Sequence, residues 1–158
     1  MATLFAEAGQ MVPEQIEREV VIAAPIERVW AVITQPEHVG SWFGDAGAEI
    51  DLRPGGAMTI TWAEHGTCHA VVERVEAPRV FAYRWARPAH QAVSPDNSTL
   101  VEFTLAPDGE QTRLRVVESG FRALALSPAE QARYAEGNTE GWRMELDELR
   151  SYLAGVPA

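Results

Sequence analysis

The chain has 158 residues, 46% hydrophobic and 23% charged, sized for one domain that buries roughly 70% of its unfolded surface. It holds no apolar run near the ~20 residues of a membrane helix. With 23 acidic against 13 basic residues, a net charge of -10 and no lysine, nucleic-acid phosphates and anionic lipid headgroups are disfavoured partners, and the single Cys68 excludes an intrachain disulfide.

Residues 1–15 show no sustained period, end near Pro13 and read as an arm outside a single domain over residues 16–155. The arm lacks the charged and apolar blocks of a secretory leader, so a cytoplasmic location is expected. From Ile16 to Ile22 the pattern alternates with β-branched residues, a first strand. Pro25 then opens a helix whose apolar stripe is Ile26, Val29, Trp30 and Ile33, and Pro36 closes it. A second helical turn spans residues 37–42, before Trp42-Phe43-Gly44.

Strands are expected at 48–52, 58–63, 66–75, 79–85, 99–105 and 112–118, joined mostly by short turns such as Pro54-Gly55-Gly56 and Pro107-Asp108-Gly109. Short turns imply antiparallel pairing. Residues 86–98 form one long connection at the rim, read as mobile, with a short helical turn inside it left open. Ser127-Pro128-Ala129-Glu130 carries the cap, N1 proline and N3 glutamate of a helix running to about Leu153. Gly137 and Gly141 are its weak points, at about 1 kcal/mol each relative to alanine, and a bend or break is expected there. Trp142, Leu146, Leu149 and Leu153 form its buried face.

Ala24-Pro25-x-x-x-Val29-Trp30, Trp42-Phe43-Gly44, Pro54-Gly55-Gly56, Phe81-x-Tyr83-x-Trp85, Thr112-Arg113-Leu114, Glu118-Ser119-Gly120-Phe121 and Gly141-Trp142, in this order, resemble the START-related SRPBCC superfamily. The branch is the one similar to the activator of heat-shock-protein-90 ATPase. The resemblance spans about residues 16–153 and implies an α+β helix-grip fold: a curved antiparallel sheet around a long C-terminal helix, with two short helices after the first strand and an internal cavity. It also implies three kinds of activity found in that superfamily: binding of apolar molecules, polyketide cyclisation, and stimulation of a chaperone ATPase. Fold alone does not choose among them.

The cavity-lining candidates are Trp42, Phe43, Trp62, His69, Tyr83, Trp85, Phe103, Glu118 and Trp142. The aromatic ones each bury ~150–250 Å² if internal, as cavity wall or as plain packing. His69 shares a register with Thr67 and Val71, and Glu118 with Leu114 and Val116. Turned inward, the two would be ligand-orienting groups or a proton-transfer pair; the alternative is a partly hydrated place near a strand end. Glu64-His65-Gly66-Thr67-Cys68-His69 has metal-ligand residue types, but an extended strand sends Cys68 and His69 to opposite faces and no second ligand pair follows. No metal and no cofactor are expected, and no catalytic residue is assigned. The leading expectation is a protein that encloses a small apolar molecule. A cyclase-like or hydrolase-like enzyme and a chaperone-regulating module are the alternatives, with a homodimer or a chaperone contact as further partners to test.

Overall fold

The computed structural model describes residues 11–155. Seven strands form one antiparallel sheet in the order β1-β7-β6-β5-β4-β3-β2: β1 (Gln15–Ile22), β2 (Ala48–Ile50), β3 (Ala57–Trp62), β4 (Gly66–Glu76), β5 (Val80–Ala86), β6 (Ser98–Asp108) and β7 (Gln111–Ser119). From β2 to β7 the chain is a meander, and β1 closes the far edge by pairing with β7, Gln15 opposite Ser119 and Ile22 opposite Thr112. Two short helices, α1 (Ile26–Thr34) and α2 (Pro36–Trp42), separate β1 from β2, and a long helix, α3 (Pro128–Gly155), ends the described chain. This is the helix-grip architecture. No helix among the described residues is long and apolar enough to cross a membrane.

The alternation seen in the sequence decides which side chains face α3. Phe81 and Tyr83 on β5, Val101, Phe103 and Leu105 on β6, and Leu114 and Val116 on β7 are buried in one core with Trp142, Leu146, Leu149 and Leu153 of α3. Helices α1 and α2 close one end of this core: Trp30 meets Phe81 edge to face, and Trp42 Nε1 donates to the Val32 carbonyl at 2.9 Å. His38 Nδ1 and Tyr152 Oη, 2.7 Å apart, link α2 to α3. Gly40 and Gly44 are required where α2 meets β2 and β3, since a Cβ on Gly40 would lie 2.7 Å from Gly47 and one on Gly44 would lie 2.9 Å from Ile60.

The cap predicted for α3 forms as a reciprocal pair: Glu130 N donates to Ser127 Oγ at 3.2 Å, and Ser127 N to Glu130 Oε1 at 3.3 Å. The helix then runs through Gly137 and Gly141 as one 28-residue element without a break. A penalty of about 1 kcal/mol per glycine is small against the packing of the apolar face and the polar pegs described below. The connection of residues 87–97 contains hydrogen-bonded turns at 89–90 and 95–96 but no helix. It is laced to its surroundings instead, through Arg87 N to Asn97 O, His90 N to Thr67 O, Asn97 Nδ2 to Ala92 O, and Ala125 N to Asp96 O, all at 2.8–2.9 Å. Of the arm, residues 1–10 lie outside the described residues; Val12 packs beside Phe121 and Leu124 and accepts a hydrogen bond from Arg122 Nε.

Candidate functional site

Glu118 occupies a rung of β7 where alternation calls for an apolar side chain, and it is fully buried, 0% exposed. A carboxylate there is costly unless its lone pairs are met. Four neighbours meet them. Trp142 Nε1 donates to Oε1 at 2.9 Å, Thr99 Oγ1 to Oε2 at 2.6 Å, Trp85 Nε1 to Oε2 at 2.9 Å, and Asn138 Nδ2 lies 3.0 Å from both oxygens. Indole and amide N–H groups are donors only, so the acceptor-only carboxylate is their complement.

Each donor follows from local structure. Trp85 and Thr99 are cross-strand partners on β5 and β6, and Val101, two residues on, faces Glu118 across β6 and β7. Asn138 and Trp142 are four apart on α3 and share its inner face. Gln131, three turns before Trp142, reaches the carbonyls of Arg122 and Leu124 through Nε2. The N-terminal half of α3, poor in apolar residues, is thus held by polar pegs whose positions fix the rotation of the helix on the sheet.

Beside the carboxylate the aromatic rings interlock. Phe43 stacks on Trp42, Trp85 and Trp142 at centroid distances of 5.1, 5.6 and 5.4 Å, and Trp62 meets it edge to face. The middle of the grip is therefore packed. Open volume lies at one end: a cavity of ≈ 500 Å³ lined by Trp62, His65, Cys68, Trp85, Arg87 and Pro88 on the sheet side and by Tyr134 and Asn138 of α3. Glu118 lies one layer beneath it, covered by Trp85 and Asn138. A recess of ≈ 490 Å³ at the other end of α3, lined by Val21, Gln111, Asp147, Arg150 and others, has no aromatic wall.

Burial shapes the chemistry of the nearby groups. The Cys68 thiol is pushed up to about 11, chiefly by burial, and the Tyr134 phenol to about 12, first by burial and then by the Glu118 carboxylate. The phenol of Tyr83, sealed beside Phe81, Trp85 and Phe103, is pushed well above its ordinary value by burial, and its Oη has no partner among the described residues. Glu145 Oε2 is likewise buried without a partner, and burial lifts that carboxyl to about 7.

Of the sequence candidates, Trp62 and Trp85 line the cavity. Trp42, Phe43, Tyr83, Phe103, Glu118 and Trp142 are buried around or beneath it. His69 is a correction. Cys68 points into the cavity and Ala70 and Val72 are buried, so His69, with Thr67 and Val71, projects from the opposite face, across from Thr59. The proton-transfer pair of His69 and Glu118 does not assemble. Thr99, Asn138, Arg87 and Tyr134 belong to the site but were not singled out. Asn138 had a signal, its four-residue spacing from Trp142; Arg87 sits in an irregular connection and had none.

Among the described residues no three His, Cys, Asp or Glu side chains converge as metal ligands. A family model described as Activator of Hsp90 ATPase homolog 1-like protein matches residues 23–154. The chain belongs to that family. Protein MLL2253 from Mesorhizobium loti is 27% identical with a TM-score of 0.75, over 91% of this chain and 99% of that one. CalU16 from Micromonospora echinospora (24%, TM-score 0.67, 89% of this chain and 76% of that one) shares the fold. So does DynU16, a putative protein in the dynemicin biosynthetic locus, 23% identical with a TM-score of 0.73 over 90% of this chain and 48% of that one. No curated protein matches the chain. The SRPBCC resemblance read from the motifs agrees with the family match.

Proposed function

We propose that this family member binds a small, largely apolar molecule in the cavity between the β3–β4 hairpin, β5, the 87–89 segment and α3. The observation that carries this reading is the state of the cavity wall. Trp62 Nε1 is bonded to the Phe43 carbonyl, while Trp85 Nε1 and Asn138 Nδ2 are bonded to Glu118, so these residues offer flat apolar faces and few open polar atoms. A volume of ≈ 500 Å³ lies inside the range of ~300–1,000 Å³ typical of small-molecule sites. Affinity comes mainly from buried apolar area, at ~25 cal/mol per Å². Catalysis by His69 with Glu118 has no geometric support, since the two occupy opposite faces of the sheet. A cytoplasmic setting suits the single free thiol of Cys68.

The neutral fluorophore N-phenyl-1-naphthylamine tests this. It should bind saturably, quenching Trp62 and Trp85. The variant Ala89→Trp, which places an indole at the cavity wall, should abolish binding at unchanged melting temperature. Undiminished binding to Ala89→Trp, or none to the parent, would overturn the reading.

A further inference from the structure

We infer that the cavity selects ligands bearing an anionic group, a carboxylate, sulfonate or phenolate, at the end nearest Arg87. This rests on the ligand-binding reading above and narrows its ligand class.

The observation is a contrast between the chain and its cavity. The chain carries 23 acidic residues and a net charge of -10, yet no carboxylate lines the cavity, and the guanidinium of Arg87 is the one permanent charge in its wall. Glu118 lies below, with its oxygens occupied by four donors. Several other polar wall atoms are spent internally: Cys68 Sγ donates to the Ala86 carbonyl at 3.4 Å, besides the indole and amide bonds already described, while the His65 imidazole also lines the wall. Arg87 is different. Seven of the 13 arginines sit within 4 Å of a carboxylate. Arg87 does not, and its side chain makes no hydrogen bond among the described residues.

The guanidinium is nevertheless held in place. Its Cζ lies 4.4 Å from the centroid of the Tyr134 ring, and Arg87 N is bonded to the Asn97 carbonyl at 2.9 Å. Stacking on an aromatic face leaves the N–H edge of a guanidinium free, and that edge matches a carboxylate or sulfonate in a two-pronged contact. Arg133 adds a second positive charge next to Arg87 and Tyr134 in the adjoining recess of ≈ 280 Å³. The one acid in that recess, Glu130, bonds the Ser127 cap through Oε1 and also feels the charges of Arg133 and Arg87. A flat apolar body against Trp62 and Trp85, with its anionic end at Arg87, would pair the open N–H edge of the guanidinium. A cationic ligand would meet like charge at the mouth and find no counter-ion inside.

The test compares two fluorophores of nearly one shape. 1-Anilinonaphthalene-8-sulfonate carries the anion and N-phenyl-1-naphthylamine does not. Both are titrated into the parent chain, Arg87→Gln and Arg87→Lys. The sulfonate-to-neutral affinity ratio should fall about tenfold in Arg87→Gln, the size expected for one lost charge-assisted contact at a half-exposed site. Arg87→Lys should restore part of it. Taking the ratio to the neutral probe separates loss of the anion contact from any change in the cavity wall that Arg87 helps to form. In the parent, the ratio should also fall as potassium chloride is raised from about 20 mM to about 0.5 M, a readout that survives if the variants fail to fold. Equal weakening of both probes by Arg87→Gln, or a ratio indifferent to salt, overturns this inference and leaves the cavity reading standing. Failure of the neutral probe as well removes both.

Discussion

Replacing Glu118 with leucine keeps the side-chain bulk and removes the acceptor shared by four donors. Two of these, Thr99 Oγ1 and Trp142 Nε1, belong to residues only 1% and 4% exposed and cannot turn to water. Trp85 and Asn138 border the cavity, where water can reach them. Each sealed donor left unpaired costs about 1–3 kcal/mol, so the single substitution should destabilise by about 2–6 kcal/mol. That is a large part of the ~5–15 kcal/mol of a typical domain. A competing effect runs the other way, because the buried carboxylate no longer needs to be desolvated. Thr99→Val, Asn138→Leu and Trp142→Phe added to Glu118→Leu remove three of the four orphaned donors, both sealed ones among them, and this quadruple variant should be more stable than the single one. Urea unfolding followed by far-UV circular dichroism measures both, free of the change in indole count. A Glu118→Leu midpoint equivalent to within about 0.5 kcal/mol of the parent would show that the network does not hold α3, and the assignment of Glu118 as its anchor would be wrong.

The Glu145 carboxyl is lifted from 4.5 to about 7 by burial, with the Glu148 charge adding to it. A raised folded-state value means the protonated form is favoured on folding, so this stability is present below about 4.5 and lost as pH rises through about 7. The full shift would correspond to about 3 kcal/mol, but solvent reaches the rest of the side chain, and about 1 kcal/mol is expected. Glu145→Gln should remove that slope from urea midpoints measured between pH 5 and 8; an unchanged slope refutes the assignment. Cys68, with its thiol pushed up to about 11 against 9.0 for a free one, should react with iodoacetamide about a hundredfold more slowly in the native chain than in urea. Equal rates would place the thiol in solvent.

Much of the fold can be read from residue order because the concave face repeats a strict alternation. Phe81, Tyr83 and Trp85 recur at period two, as do Leu114, Val116 and Glu118, and the cap at Ser127 announces α3 by composition alone. The site was less legible, for three physical reasons. On β4 the register shifts between Val72 and Arg74, so Val72 and Val75 pair with Tyr83 and Phe81 on one face, and period two cannot be carried through the strand to judge His69. The carboxylate at Glu118 is acceptable only because of donors from β5, β6 and α3, and no spacing within β7 contains that information. Arg87 gains its meaning from a stack on Tyr134, across a connection and a helix that have no shared periodicity. Gly137 and Gly141 do not break the helix, and a Cβ at either would meet nothing within 4 Å, so they mark no packing constraint.

The pairing of β1 with β7 bears on the order of assembly. A nascent chain emerging from the ribosome presents β1 first, yet Gln15 meets Ser119, so that strand waits until almost the whole meander has been made. Contacts so distant along the chain carry a high loop-closure cost and come late in folding. Until then the amphipathic strand is bare, and its outward Glu17 and Glu19, later the partners of Arg115 and Arg113, put like charges along the waiting segment. Such charges oppose premature edge-to-edge association between chains.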